Sequence, residues 1–113
     1  MWGVCIDANV LNGSLSQAVV EYIIEDNKAI VVSPASNIIL DMSKIREIPD
    51  SPQFVYGELV SPTNHLDLMG RIYTIKWHFN LKCCYYKIQI NGKVKSKRYF
   101  DGDLIGVTNG REL

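Results

Sequence analysis

The sequence is short of several things at once. It has three cysteines, four prolines and two histidines in 113 residues, and its twelve basic side chains are matched by twelve acidic ones. Cys5, Cys83 and Cys84 are an odd set with no framework spacing, which argues against a disulfide-stapled scaffold. Cys83 and Cys84 are neighbours in an apparent strand, so their side chains point to opposite faces and a bridge between them would strain the backbone. Free thiols packed as small hydrophobes in a reducing compartment are expected. Zero net charge excludes a disordered polyelectrolyte and a uniformly basic nucleic-acid coat. No apolar run reaches the roughly 20 residues of a membrane helix, because Glu21 and Glu25 interrupt the best candidate. Met-Trp-Gly-Val-Cys-Ile-Asp at the start has no basic opening and no signal-like run, no membrane association is expected, and the cysteine usage points to a cytoplasmic location.

What is present suffices for a core. Apolar residues make up 47% of the chain and charged ones 21%, in a length that fits one ordinary domain. The charge is unevenly placed. Residues 1–56 carry three basic groups (Lys28, Lys44, Arg46) against seven acidic ones, a balance of −4, and residues 57–113 carry nine against five, a balance of +4. Either the halves neutralise each other in one body, or a basic face is left to meet an acidic partner.

Met1 to Asp7 reads as a short strand, ended by Asn9 and the turn pair Asn12-Gly13. Ser14 to Gln17 has the look of a capping box, and Leu15, Val19, Tyr22 and Ile23 fall at helical spacing. Val19, Val20, Ile23 and Ile24 are β-branched, however, and Tyr22 also favours strands. Two strands about a turn at Glu25 to Lys28, the second running Ala29 to Val32, need fewer assumptions than a helix. Ser33 to Asn37 is a loop, Ile38 to Leu40 a strand, and Met42 to Glu47 one helical turn capped by Ser43. Pro49 to Pro52 is a short connector. Beyond it the pattern is β: Phe54 to Val60, a polar loop from Ser61 to Met69, then Arg71 to Phe79 with Tyr73, Ile75, Trp77 and Phe79 on one face. Asn80-Leu81 turns the chain into Lys82 to Ile90, and Asn91-Gly92 into Lys93 to Phe100. Short strands at this spacing predict an all-β fold.

The last hairpin has two possible registers. A two-residue Asn91-Gly92 turn sets Ile90 opposite Lys93 and Ile88 opposite Lys95, mixing core with solvent. A three-residue loop from Ile90 to Gly92 pairs Ile88 with Val94 and separates the faces. The expected inner face then holds Cys84, Tyr86, Ile88 and Val94. The expected outer face gathers Tyr85, Lys87, Lys93, Lys95, Lys97 and Tyr99.

From Gly57 to Val107 the chain resembles the SH3-like small-barrel superfamily. The resemblance lies in Gly57-Glu-Leu-Val60, a long polar loop, Gly70 to Trp77, Tyr85 to Ile90, Asn91-Gly92-Lys93, and Tyr99-Phe-Asp-Gly-Asp-Leu104. It implies a small antiparallel barrel over residues 53–113, with residues 1–52 as a β-meander packed on it, in one domain of residues 1–113. The superfamily's proline-rich peptide recognition does not carry over, because the polar loop offers only His65 and Asp67 and Trp77 reads as core.

Candidate chemistry is thin. His65 and His78 lie on different elements, and His78 with Cys83 is the only close ligand pair, short of a zinc set. Cys83 and Cys84 sit in a hairpin, away from any helix N-terminus that would activate them. Asp101-Gly102-Asp103 is turn chemistry, and Gly57, Gly70, Gly92 and Gly102 are isolated, so no phosphate loop forms. No enzyme, metal or cofactor is expected. The candidate binding strip is Tyr85, Lys87, Lys93, Lys95, Lys97 and Tyr99, where lysines would meet phosphates and rings would stack on bases. The same mix also suits a protein interface, and lysines on a β-face can simply block edge pairing. The leading expectation is a non-enzymatic protein-binding domain of inhibitor or immunity type, with a protein partner such as a toxin. That role follows from size and the lack of chemistry. The alternative is a nucleic-acid- or ribosome-associated small barrel.

Overall fold

A single turn shows how local sequence builds the strands. At Asp26-Asn27 both residues take positive φ, 50° and 62°, which suits the twist of a two-residue hairpin. They join β2 (Val19–Glu25) to β3 (Lys28–Ser33). This is the hairpin the β-branched residues favour over a helix. The computed structural model describes residues 1–6 and 17–107, and the chain divides into two units, Met1–Pro52 and Gln53–Leu113.

The first unit also contains β1 (Trp2–Cys5), β4 (Ile38–Asp41), a 3-10 turn at Met42–Lys44, and β5 (Ile45–Glu47). Its antiparallel sheet has the order β4-β3-β2-β1-β5. One side is the core, where Val20, Tyr22, Ala29, Val31, Leu40 and Ile45 are buried together. Burial raises the Tyr22 hydroxyl pKa, and the charge of Glu47 adds to it.

The second unit contains β6 (Leu59–Pro62), β7 (Gly70–His78), β8 (Cys83–Ile90), β9 (Lys93–Val94), a 3-10 turn at Asp101–Asp103, and β10 (Leu104–Gly106). Its order is β10-β6-β7-β8-β9. Val60, Ile72, Ile75, Tyr86, Ile88 and Leu104 are among its buried residues.

These sheets correct several expectations. There is no closed SH3-like barrel: both sheets are open and antiparallel, and the last strand, β10, pairs with β6 and not with β9. Closure requires every strand to have two neighbours, and β9 is only two residues long. The stretch after it touches the ladder through the Lys95 N–H, which bonds to the Ile88 carbonyl, and through an isolated bridge, Tyr86 with Tyr99. The strand expected at Phe54 to Val60 begins only at Leu59 and runs on to Pro62, because Gly57 takes φ +83° in a turn. The helical turn expected to run to Glu47 stops at Lys44, and Ile45 to Glu47 pair with β1 instead. Asp41 precedes this turn and makes no side-chain cap.

The face expected in β7 is also broken. A bulge between Ile72 and Thr74 shifts the register and changes which side successive residues reach. Ile72 and Ile75 are both buried, whereas Tyr73 and Phe79 are exposed. The final hairpin takes the register that mixes its faces: Ile90 pairs with Lys93 and Gln89 with Val94. Asn91 and Gly92 both have positive φ, 51° and 79°, so a two-residue turn fits the strand twist. Val94 is exposed at this sheet edge, so its burial does not enforce segregation of the faces. Asp7, Asn9, the Asn12-Gly13 turn and Ser14 to Ser16 lie outside the described residues.

Candidate functional site

Lys93, Lys95 and Lys97 are exposed and Lys87 is half-buried. Lys95 donates its backbone N–H to the Ile88 carbonyl at 2.9 Å, and Lys97 is beyond the ladder. The two rings assigned to the strip are both buried, Tyr85 at 7% and Tyr99 at 8% exposure. Nor do they stand side by side. Tyr99 is paired with Tyr86, exchanging backbone hydrogen bonds of 2.7 and 2.9 Å. The Arg98 guanidinium lies 4.7 Å from the Tyr85 ring centroid, and the Lys97 ammonium 5.1 Å from that of Tyr99. Cations at that range are held by the ring quadrupole, so the chain's own side chains already occupy both rings. His78 and Phe100 complete the packing around Tyr85, with centroids 6.3 and 6.2 Å away.

The titratable groups nearby are structural. The Tyr86 hydroxyl donates to Asp101 Oδ1 at 2.8 Å and accepts from the Gln53 backbone N–H at 3.0 Å. Burial raises its pKa, and the Asp101 contact adds to the shift. Burial pushes the Cys84 thiol up to about 12, with smaller contributions from Asp101 and Cys83. Cys83 is also pushed up, first by burial and then by Asp101. A nucleophilic cysteine needs the opposite shift. Among the described residues, no group of three or more His, Cys, Asp or Glu could hold a metal ion. The Asp101–Asp103 turn is closed by Asp103 Oδ2, which accepts the Phe100 N–H at 2.9 Å.

A second surface, absent from the sequence expectations, lies in the first unit. Ile23 pairs with Ile30, and Ile30 with Ile39, in one row across β2, β3 and β4. Directly paired residues share a face, and alternation sets this face opposite the core pairs Tyr22–Val31 and Ala29–Leu40. Ile23 is 46% exposed and Ile39 65%. Val32, at the register shift that separates the Tyr22–Val31 pair from Glu21–Ser33, is also exposed. The neighbouring row is charged, Glu25–Lys28–Asp41, with Lys28 bridged to Asp41. That hydrogen bond holds the Asp41 carboxyl below its usual range, with the Lys28 charge adding to it.

The sequence did carry a signal for this row. Tyr22-Ile23-Ile24, Ala29-Ile-Val-Val32 and Ile38-Ile-Leu40 are unbroken apolar runs, whereas a half-solvated antiparallel strand alternates. Runs of this kind in a small antiparallel sheet put apolar side chains on both faces.

A sequence profile of one protein family matches residues 12–105, a span that reaches into both units. The chain belongs to this family, described as a family of unknown function (DUF6960). No curated protein matches the chain. Membership therefore assigns no role to any residue.

Proposed function

We propose that the chain is a non-enzymatic protein-binding domain, docking an apolar partner surface on the Ile23–Ile30–Ile39 row. The observation that carries this is the exposure of that row: contiguous apolar side chains on a solvent-facing sheet mark interaction sites. The unit that bears it has a balance of −4, which disfavours phosphate and favours a partner with a basic rim. A nucleic-acid role through the hairpin loses its stacking platform, since Tyr85 and Tyr99 are buried under Arg98 and Lys97. Three cysteines held as thiols suit a reducing compartment such as the cytoplasm. The family matched has no known function, and among the described residues no geometric feature favours a toxin over another protein partner, so an immunity or antitoxin role is not part of this proposal.

The test is affinity capture from the source cell at moderate salt, with and without nuclease, using three proteins. These are the wild type, Ile39→Lys, and the triple variant Lys93→Glu/Lys95→Glu/Lys97→Glu. The expected result is one stoichiometric protein, resistant to nuclease, kept by the triple variant and lost with Ile39→Lys. Capture that nuclease strips and the triple variant abolishes would reverse the reading in favour of nucleic acid.

A further inference from the structure

The isoleucine row ends on a sheet edge, and that edge differs from the others. β5 carries Arg46 and Glu47, β9 is Lys93-Val94, and β10 is a three-residue strand following Asp101-Gly-Asp103. Charge and shortness of this kind block edge-to-edge pairing. β4 is Ile38-Ile39-Leu40-Asp41, with no proline and no free charge, since Lys28 neutralises Asp41. Its most exposed side chain, Ile39, is apolar.

The ladder fixes which backbone groups that edge presents. In a two-residue hairpin the residues flanking the turn, here Glu25 and Lys28, exchange hydrogen bonds, and pairs then alternate along the strands. Ile23–Ile30 is then a hydrogen-bonded pair, so the Ile30 amide and carbonyl face β2. Ile30–Ile39 must be the non-bonded kind, which turns the Ile39 amide and carbonyl out of the sheet. Those of Asp41 point the same way.

We propose that two copies of this chain pair antiparallel through β4 about a two-fold axis, with Ile39 opposite Ile39 of the second copy. A two-fold interface is self-complementary, so a central residue meets its own equivalent. Continuity of the faces requires paired residues of the same parity, which this register satisfies. Ile38 then lies opposite Leu40 of the second copy, and Asp41 beside Asn37, so no like charges meet. The isoleucine row runs unbroken across the join, Ile23–Ile30–Ile39 followed by its mirror sequence. This deepens the protein-binding reading and rests on the same face, because pairing doubles the apolar surface shown to a partner. A four-residue edge gives a small interface, so the dimer is reversible and concentration-dependent.

Sedimentation velocity over about a hundredfold range of concentration, with amide exchange followed by NMR at both ends, tests the pairing on the full chain. The expected result is a monomer–dimer equilibrium in which the Ile39 and Asp41 amides slow their exchange as dimer forms. Ile38 and Leu40, which bond to β3, should be protected throughout. Ile39→Pro removes only the outward donor and should weaken dimerisation at least about tenfold, whereas Ile39→Val should retain it. The wild-type exchange data decide the matter should the proline variant fail to fold. A monomer at every concentration, or a dimer whose Ile39 amide gains no protection, overturns the proposal. Stacking of two isoleucine faces would give that second outcome. A monomer that still captures a foreign protein through Ile39 sinks the pairing and leaves the binding reading intact. A dimer whose partner capture is unaffected by Ile39→Lys does the reverse.

Discussion

The Tyr86 hydroxyl joins two stretches that strand pairing leaves separate, the start of the second unit at Gln53 and the turn at Asp101. Its ring is fully buried and meets Phe54 edge-on at a centroid distance of 5.3 Å. Tyr86→Phe keeps the ring and removes the hydroxyl, leaving the Asp101 carboxylate and the Gln53 amide without their partner. A loss of about 1–3 kcal/mol is expected in urea unfolding. Asn91 makes a contrasting case, since its demand is on the backbone. With φ at 51°, Asn91→Val should cost about 1–2 kcal/mol, and Asn91→Gly much less. The Asn-Gly pair was legible as a turn, but its length was not. At a solvent-exposed edge nothing forces a hairpin's faces to separate, so the segregation of apolar from charged residues does not set the register there. The burial of Tyr85 and Tyr99 was not legible for a different reason: alternation gives the side of a strand, but not whether Arg98 and Lys97 fold back over the rings.

At the scale of elements, β7 is the informative strand. A strict two-residue period would put Ile72 and Ile75 on opposite faces, yet the bulge at Tyr73 brings both into the core. Ile72→Ala and Ile75→Ala should therefore each cost about 2–5 kcal/mol. Tyr73→Ala, at an exposed bulge position, should stay within about 0.5 kcal/mol. If only one isoleucine proved costly, the bulge would be misassigned. Most strands were readable from β-branched composition and turn residues: the Glu25–Lys28 hairpin, β4, β7 and β8 fall close to where the pattern puts them. Bulges are not readable this way, since one inserted residue leaves no compositional trace. The isoleucine row was legible too, since an unbroken apolar run in a half-solvated strand puts apolar side chains on both faces.

For the molecule as a whole, pH is the simplest lever. Burial raises the pKa of Tyr22 in the first unit and of Tyr56, Tyr86 and Cys84 in the second. Each is held neutral in the fold, while in the unfolded chain Cys ionises near 9.0 and Tyr near 10.0. Unfolding then releases protons at high pH, so their contribution is complete at neutral pH and is lost as pH rises past those values. Stability measured by urea unfolding should hold steady through neutrality and fall from about pH 9 upward, less steeply in Tyr86→Phe. Sheet closure was the whole-molecule property that sequence could not supply. Strand content was plain, but closure depends on which edge the final strand joins, a long-range choice with no local signature. That choice has an engineering consequence. Because β10 returns to β6, Val107 donates its N–H to the Leu59 carbonyl at 2.9 Å, and the second unit's ladder begins and ends side by side. A short linker joining those ends, with the chain reopened at the exposed Asn91-Gly92 turn, would keep every strand beside its present neighbour. The unit is wired as a loop, and where that loop is cut matters little to its sheet.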